Sequence, residues 1–385
     1  FENGMSLDGN IGMRYSSTTV TSEGSLDYVE FSEDITPGFN DNPRDFLPEA
    51  AAYFDQAPIS GDSDRTDERW LPSLNVKWNL NDDMLIRFGY SEAITRPNVS
   101  DLRADQSAFG PTTFFVNPDA GPDDPDRVTD IVLQEVRIQG GNPDLEPIEA
   151  TNWDLSFEWY FGDDSSFTAS VFRKELDNII IFSEQNIGSV TLDGNTVPIN
   201  FIGLINQDEG EINGIELAYT QFYDFLPGAF GNLGLQANYT YIDSEATPLP
   251  EFQDADGDGQ ADNFDTTFRF GIDRLLGLSE HTANIVGIYQ DERLEARLAY
   301  NWRSDYVGSY RDFVTGNPIF QEETGFLDAS LKYDLTDQVQ LRFQAANLLD
   351  TKNKATQQVD AAGQRYGRSS FIFDRRFEFG IRWQY

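Results

Sequence analysis

The sequence of 385 residues contains no cysteine, which excludes disulfide bonds, thiol catalysis and Cys-ligated zinc within it. Its one histidine, His281, is too few for a histidine-based metal centre. No apolar run reaches the roughly 18 residues that a transmembrane helix needs. Basic residues are scarce, because 27 Lys and Arg stand against 66 Asp and Glu, a formal net charge of −39. Nucleic acid is therefore not an expected partner, since phosphate binding needs a basic face.

Aromatic residues, by contrast, make up 14% of the chain, although the mean hydropathy is only −0.48. A disordered acidic tail would lack these aromatics. Apolar and polar residues alternate along about twelve segments, a period that predicts strands with one apolar face. The segments are residues 11–20, 74–80, 84–90, 153–161, 167–182, 212–222, 233–241, 283–289, 294–303, 327–335, 339–347 and 377–385.

The connections between these segments alternate in length. The long ones are residues 21–69, 92–150, 183–206, 244–280, 305–325 and 348–374, and the short ones are 81–82, 162–165, 224–230, 291–292 and 336–337. Short periplasmic turns and long outer loops alternate in this way in membrane barrels, whereas a soluble sandwich has no reason to do so. We expect an all-β fold, namely a transmembrane antiparallel β-barrel whose long loops are extracellular.

Four short motifs occur in order along the chain, namely YSEAITRP at residues 90–97 followed by Asp101-Leu102, GNPDLEP at 141–147, GIE at 214–216, and NLLD at 347–350. Together they resemble motifs in the barrel of TonB-dependent transporters. The C-terminal strand also ends in alternating aromatic and apolar residues, namely Phe377, Phe379, Ile381, Trp383 and Tyr385. Ile148 stands between Pro147 and Glu149, where the family's motif has none.

The resemblance implies a barrel of twenty-two strands, filled by an N-terminal plug that contacts TonB. Residues 1–385 would then be the C-terminal portion of the barrel, with about twelve strands and no plug; a complete twelve-stranded barrel is the alternative. The expected location is the outer membrane of a Gram-negative cell, where phospholipid and lipopolysaccharide surround the barrel. The expected function is TonB-dependent uptake of a ligand without catalysis, and the alternative is a passive porin or adhesion barrel.

The ligand is less defined by the sequence than the fold. Strongly acidic outer loops disfavour polyanionic ferric siderophores and leave saccharides, peptides, cobalamin-like molecules or cationic metal chelates. Phe109, Phe114 and Phe115 lie in the middle of a long loop, where they could contact a ligand or pack within the loop. An enzyme would need a serine and an orienting group beside His281, for which a structural or interfacial role is favoured.

One acidic loop has the ligand spacing of a calcium site. Carboxylates occupy relative positions 1, 3, 5, 9 and 12, with a glycine at position 6. Position 12 is an Asp rather than the usual bidentate Glu, so the alternative is a solvated acidic hairpin. We expect a structural calcium ion bound by Asp254, Asp256, Asp258, Asp262 and Asp265 with the Gln260 carbonyl.

Calcium binding can be measured by calorimetry. We expect a dissociation constant of roughly 10⁻⁴ to 10⁻³ M, as in extracellular modules. Asp258→Ala should abolish the heat of binding and loosen the loop without unfolding the barrel, whose backbone hydrogen bonds lie elsewhere. If calcium added to the parent protein produced no heat of binding, the loop would be a solvated acidic hairpin and not a calcium site.

Overall fold

The structure is a computed structural model that describes residues 5–29, 43–119, 127–162, 164–246, 272–310, 312, 315, 317–360 and 362–384. The helices are α1 (Pro43–Phe46), α2 (Pro48–Phe54) and the 3₁₀ helix η1 (Gly228–Asn232). No helix in these ranges is long and apolar enough to cross a membrane. The strands are β1 (Ser6–Ser22), β2 (Ser25–Tyr28), β3 (Ile59–Ser60), β4 (Ser63–Asn79), β5 (Met84–Thr95), β6 (Gln106–Phe109), β7 (Thr112–Val116), β8 (Val128–Leu133), β9 (Val136–Gly140), β10 (Ile148–Gly162), β11 (Ser165–Leu192), β12 (Asn195–Phe222), β13 (Leu233–Ala246), β14 (His281–Gln290), β15 (Leu294–Arg303), β16 (Tyr306–Ser309), β17 (Ile319–Gln321), β18 (Thr324–Thr336), β19 (Val339–Ala346), β20 (Lys352–Gln358), β21 (Arg365–Ile372) and β22 (Arg376–Trp383).

The main sheet is a meander in which each long strand pairs with the next long strand along the chain. Its order is β1-β4-β5-β10-β11-β12-β13-β14-β15-β18-β19-β22. The pairing of β10, β11, β12 and β13 is antiparallel throughout, as is that of the other neighbours on this path. The twelve strands coincide with the twelve alternating segments of the sequence, and most are longer than those segments.

The register gives the sheet one apolar and one polar face. Leu155, Val171 and Ile215 are direct cross-strand neighbours on the apolar face, and they are 47%, 48% and 44% exposed. The adjacent row on the opposite face contains Ser156, Ser170 and Glu216. The same alternation places Leu74, Trp78, Leu155, Trp159, Leu298 and Trp302 on the apolar face and Lys77, Glu158, Arg297 and Arg303 on the polar face, as the sequence predicts.

Three of the short turns are closed by a side chain that accepts backbone N–H groups. Asn81 Oδ1 accepts from Asp83 and Met84, and Asp291 Oδ1 accepts from Arg293 and Leu294. The two backbone donors lower the pKa of the Asp291 carboxyl. Thr336 Oγ1 accepts from the two residues that lead into β19. Trp383 pairs with Val339, so β22 ends on the same side of the sheet as these turns.

On the opposite side, the segment 183–206 continues the sheet instead of leaving it. β11 and β12 remain paired up to Leu192 and Asn195, and the turn between them consists of Asp193 and Gly194. Both turn residues have positive φ, 51° and 78°, which matches the twist of a two-residue hairpin. We call residues 178–207 the upper hairpin. The sequence predicts this segment as a long outer connection, and the structure forms it as a regular hairpin.

Parallel pairing joins two further connections to the upper hairpin. β2 pairs with β6 in parallel, β6 pairs with β9, and β9 pairs in parallel with β12 along Ile199–Ile202. A separate sheet, β16-β17-β20-β21, is built from the last two long connections. These strands are short and their partners lie far away in the sequence, so a period-two pattern does not reveal their pairing.

The assignment of the apolar and polar faces of the main sheet can be tested by substituting arginine for neighbouring residues of β11. Val171→Arg puts a charge on the lipid-facing side, which should cost roughly 2–4 kcal/mol of unfolding free energy near the bilayer midplane. Ser170→Arg faces Ser156 and Glu216 on the polar side and should cost much less. Urea unfolding in lipid vesicles, followed by gel mobility of the folded barrel, compares the two variants. Equal destabilisation would contradict the assignment of the faces.

Candidate ligand-binding site on the extracellular side

A hydrophobic core lies above the main sheet, and the first three long connections pack together around it. The buried residues of this core include Leu47, which lies between the two helices, Phe54 from α2, Ile131 from β8, Val136 from β9 and Phe201 from β12. We call this unit, made of α1, α2, β2, β3, β6–β9 and the upper hairpin, the extracellular body. Burial of these side chains gives a shape to loops that a barrel alone would leave unsupported.

The three loop phenylalanines have different environments in the extracellular body. Phe114 packs against its core, and Phe109 lies beside the Arg137 guanidinium, which is 6.0 Å from the ring centroid. Phe115 is 51% exposed. The structure therefore supports loop packing for Phe114, whereas the Phe115 ring remains on the surface.

The tip of the upper hairpin caps helix α2 across a long stretch of sequence. The Asp193 carboxylate accepts hydrogen bonds from the backbone N–H groups of Glu49 and Ala50, each at 2.9 Å. In return, Glu49 Oε2 accepts a bond of 2.6 Å from the backbone N–H of Asp193. The residue before the helix, Leu47, has no side chain that could act as a cap. The hairpin tip thus supplies the cap that α2 lacks locally.

A cavity of about 470 Å³ lies where β1 and β4 reach the extracellular side. Its wall is formed by Thr18, Thr19, Val20, Thr21, Ser22, Glu23, Arg65, Asp67, Arg96, Pro97, Val99, Leu102, Arg103 and Pro147. Residues from two separate sequence motifs, Arg96-Pro97 with Leu102 and the distant Pro147, meet in this wall. The motifs therefore form one surface rather than independent turns.

Arg65 holds this wall in place. Its guanidinium forms an ion pair with Asp67 at 2.9 Å and donates to the backbone carbonyls of Asp144 and Leu145. It thereby ties the strand β4 to the GNPDLEP segment. Arg69, four residues further along β4, donates to Glu149 Oε1 at 2.6 Å.

Arg96 and Arg103 are bound in a different way. Arg96 donates to Ser16 Oγ at 2.7 Å and to Thr18 Oγ1 at 2.9 Å, and Arg103 donates to the backbone carbonyl of Ser100 at 3.0 Å. Among the residues whose positions are described, neither guanidinium lies within ion-pair distance of a carboxylate. Two cations without an acidic partner therefore line a cavity in a strongly acidic chain.

The arginines of the smaller extracellular sheet show the contrast. Arg368 pairs with the buried Asp312 at 2.6 Å, and Arg365 pairs with Asp305 at 2.8 Å. Arg365 also lies over the Phe320 ring, 3.5 Å from its centroid. Tyr310 is half-buried beside this sheet, and its partial burial raises the pKa of its hydroxyl to about 12. These arginines are already neutralised by structural contacts.

Below the cavity, the polar face of the wall has an open groove of about 540 Å³. Charged and amide side chains line it, among them Asp8, Asn75, Lys77, Arg87 and Asp154. Arg87 donates to Glu158 Oε1 at 2.6 Å. The groove and the cavity both border β1 and β4, so one polar surface extends from the extracellular end toward the periplasmic turns.

Comparison with known proteins decides the family. The family model described as "TonB dependent receptor-like, beta-barrel" matches residues 3–348. The chain belongs to the TonB-dependent receptor family. The sheet is accordingly part of the wall of an antiparallel transmembrane β-barrel in the outer membrane, which confirms the predicted family, fold class and location. No curated protein matches the sequence.

Solved structures of receptors share the fold at low sequence identity. A ferric enterobactin receptor mutant from Pseudomonas aeruginosa, in complex with enterobactin, is 16% identical with a TM-score of 0.52. The match covers 85% of this chain and 42% of that chain. The siderophore receptor PiuA from Acinetobacter baumannii is 14% identical with a TM-score of 0.51, over 86% of this chain and 38% of its own. This receptor chain thus spans less than half the length of the structures it matches.

Two sequence predictions concern other parts of the receptor. The expected calcium ligands, Asp254 to Asp265, lie outside the described residues, so calcium binding stays a prediction. Within the described part, no group of three or more His, Asp or Glu side chains is arranged to hold a metal ion. His281 Nδ1 lies 2.8 Å from the Tyr239 hydroxyl, and its ring also contacts Tyr241. Ser304 Oγ accepts from the His281 backbone N–H rather than from its ring.

The cap between hairpin and helix gives a test of the extracellular body. Asp193→Gly removes the carboxylate but keeps a residue that adopts positive φ, so α2 should lose roughly 0.5–2 kcal/mol of local stability. Amide hydrogen exchange in residues 48–54 should then be about 2- to 30-fold faster. Asp193→Asn keeps one acceptor and should be intermediate.

The matched control is Thr191→Ala on the same hairpin, where the Thr191 and Thr196 hydroxyls lie 2.9 Å apart on the surface. Exchange in α2 should be unchanged in this variant. If Asp193→Gly also left α2 fully protected, the hairpin tip would not be the cap that orders the helix.

Proposed function

We propose that this chain is the C-terminal barrel portion of an energy-coupled receptor that takes up a metal chelate carrying acidic groups. The cavity with Arg96 and Arg103 is the first contact for the chelate, and the polar groove below it is part of the route through the lumen. In the complete receptor, a plug fills the lumen and a segment ahead of it contacts TonB. Transport then requires TonB, and the barrel itself performs no bond chemistry.

The proposal of an acidic ligand rests on Arg96 and Arg103, which form no ion pair with any described carboxylate. A guanidinium can donate two N–H groups to the two oxygens of a carboxylate or a catecholate. Such a pair of bonds combines charge attraction with a fixed geometry. Arg96 is already oriented by two hydroxyl groups, so less side-chain freedom is lost when a ligand binds. The solved neighbours are described as receptors for ferric enterobactin and for siderophores, which supports the same ligand class.

The net charge of −39 argues against an acidic ligand, because acidic loops repel an anion. Screening limits that repulsion, because exposed charges lose most of their effect beyond about 8 Å at physiological ionic strength. Many acids of the extracellular side are also paired already, as Asp67, Asp305 and Asp312 are. The local arrangement in the cavity therefore decides the ligand's charge more than the sum over the chain does.

Arg96→Gln should weaken binding of an acidic chelate while leaving the barrel folded. A charge-assisted hydrogen bond is worth about 1.5–3 kcal/mol, so affinity should fall about 10- to 100-fold. The measurement is saturable uptake of ferric enterobactin labelled with radioactive iron, in cells that carry the complete receptor. Arg173→Gln is the matched control, because Arg173 pairs with Glu175 and Glu211 away from the cavity.

Energy coupling is measured in the same cells after TonB is deleted. Uptake by the parent receptor should stop, whereas a passive porin would continue to admit the chelate without saturation. If Arg96→Gln and Arg173→Gln took up the chelate equally well, the arginine-lined cavity would not be the binding site. A neutral saccharide that competes at the cavity would exclude the acidic ligand class.

A further inference from the structure

The turn between β12 and β13, residues 223–232, differs from the other periplasmic turns. It is the longest turn between described strands on that side, and its sequence YDFLPGAFGN contains one charged residue, Asp224. Its large apolar side chains point outward, because Phe225 is 68% exposed, Phe230 is 65% exposed and Leu226 is 37% exposed. The neighbouring turns present Asp164, Asp291 and Glu292 instead. An apolar tip of this kind needs a covering partner.

The tip has a defined shape. The backbone N–H of Tyr223 donates to the Leu233 carbonyl at 2.9 Å, and that of Leu226 donates to the Tyr223 carbonyl at 2.8 Å. Pro227 precedes the 3₁₀ helix η1, and Gly228 has a φ of 63°, in the left-handed region that favours glycine. Phe225 and Phe230 are therefore exposed on an ordered turn.

A series of ring contacts connects this turn to the lipid-facing side of the barrel. Trp159, on the apolar face of β10, contacts Phe161 with centroids 4.7 Å apart, and Phe161 stacks on Tyr219 at 6.2 Å. Tyr219 lies near the end of β12, and Tyr223 directly follows that strand. Tyr223 in turn contacts Phe225 at 6.0 Å. The exposed tip thus follows, along the end of β12, a row of aromatic side chains that begins on the lipid-facing side.

We propose that this turn is a membrane-interface anchor, which inserts Phe225 and Phe230 among the phospholipid headgroups of the inner leaflet. Aromatic side chains are favoured at that depth, and the interfacial layer extends several ångströms beyond the hydrocarbon core. Continuity with the lipid-facing surface selects phospholipid over a plug, which occupies the lumen on the other side of the wall. Because the tip carries no cation, it binds zwitterionic lipid, and the contact is insensitive to salt.

The absence of cysteine makes the test direct. Phe230→Cys and Phe225→Cys each introduce one thiol into these 385 residues, and any cysteine elsewhere in the complete receptor is replaced by serine. The thiol is labelled with an environment-sensitive fluorophore, and the receptor is reconstituted into phosphatidylethanolamine–phosphatidylcholine vesicles. Quenching is measured with lipids that carry a nitroxide on the headgroup or at a shallow acyl position. Glu292→Cys, on an adjacent polar turn, is the matched control.

We expect severalfold stronger quenching at positions 230 and 225 than at 292, unchanged between low and high salt. Quenching at 230 no stronger than at 292 would overturn the proposal. So would a blue-shifted emission that lipid nitroxides do not quench, because protein would then cover the tip. Quenching that disappears in high salt would overturn it as well, since the adjacent acidic turns would then recruit a cationic partner. Two labelled positions keep the test decisive if one variant fails to assemble.

Discussion

Hydrocarbon offers a peptide group no hydrogen-bonding partner, so every strand that crosses the bilayer must pair its backbone with a neighbouring strand. The meander from β1 to β22 meets this requirement with antiparallel pairing at each step. Antiparallel pairing in turn fixes alternate side chains on opposite faces of the wall. One face of the wall then contacts lipid, and polar side chains are restricted to the lumen and to the two ends of the barrel. The cavity and the groove lie on the polar face, and the aromatic turn lies at one end.

The strands and the short turns could be predicted from the sequence because their determinants are local. A period of two identifies the strand containing Trp78, and Asn81 or Asp291 closes the next turn through bonds to residues two and three positions ahead. The extracellular body could not be predicted in this way. Its parallel pairs, β2 with β6 and β9 with β12, join segments that are remote in sequence, and the cap that Asp193 gives α2 spans 144 residues.

The cavity that we propose as the binding site could be only partly predicted from the sequence, for a related reason. The motif containing Arg96 is recognisable, but whether a guanidinium is neutralised depends on neighbours that the fold supplies. In the part of the chain that the structure describes, Arg65 pairs with Asp67 and Arg368 pairs with Asp312, whereas Arg96 donates only to Ser16 and Thr18. A formal charge adds all these groups equally, so it does not distinguish an arginine that has an acidic partner among the described residues from one that has none.

The bond between Asp193 and helix α2 has a consequence for how such loops can diversify. Adding one residue to each strand of the upper hairpin would move its tip by about 3.3 Å and turn its side chains to the other face. The carboxylate would then miss the Glu49 and Ala50 N–H groups. The lengths of two outer loops are thus coupled, because a change in either one alone would break this contact.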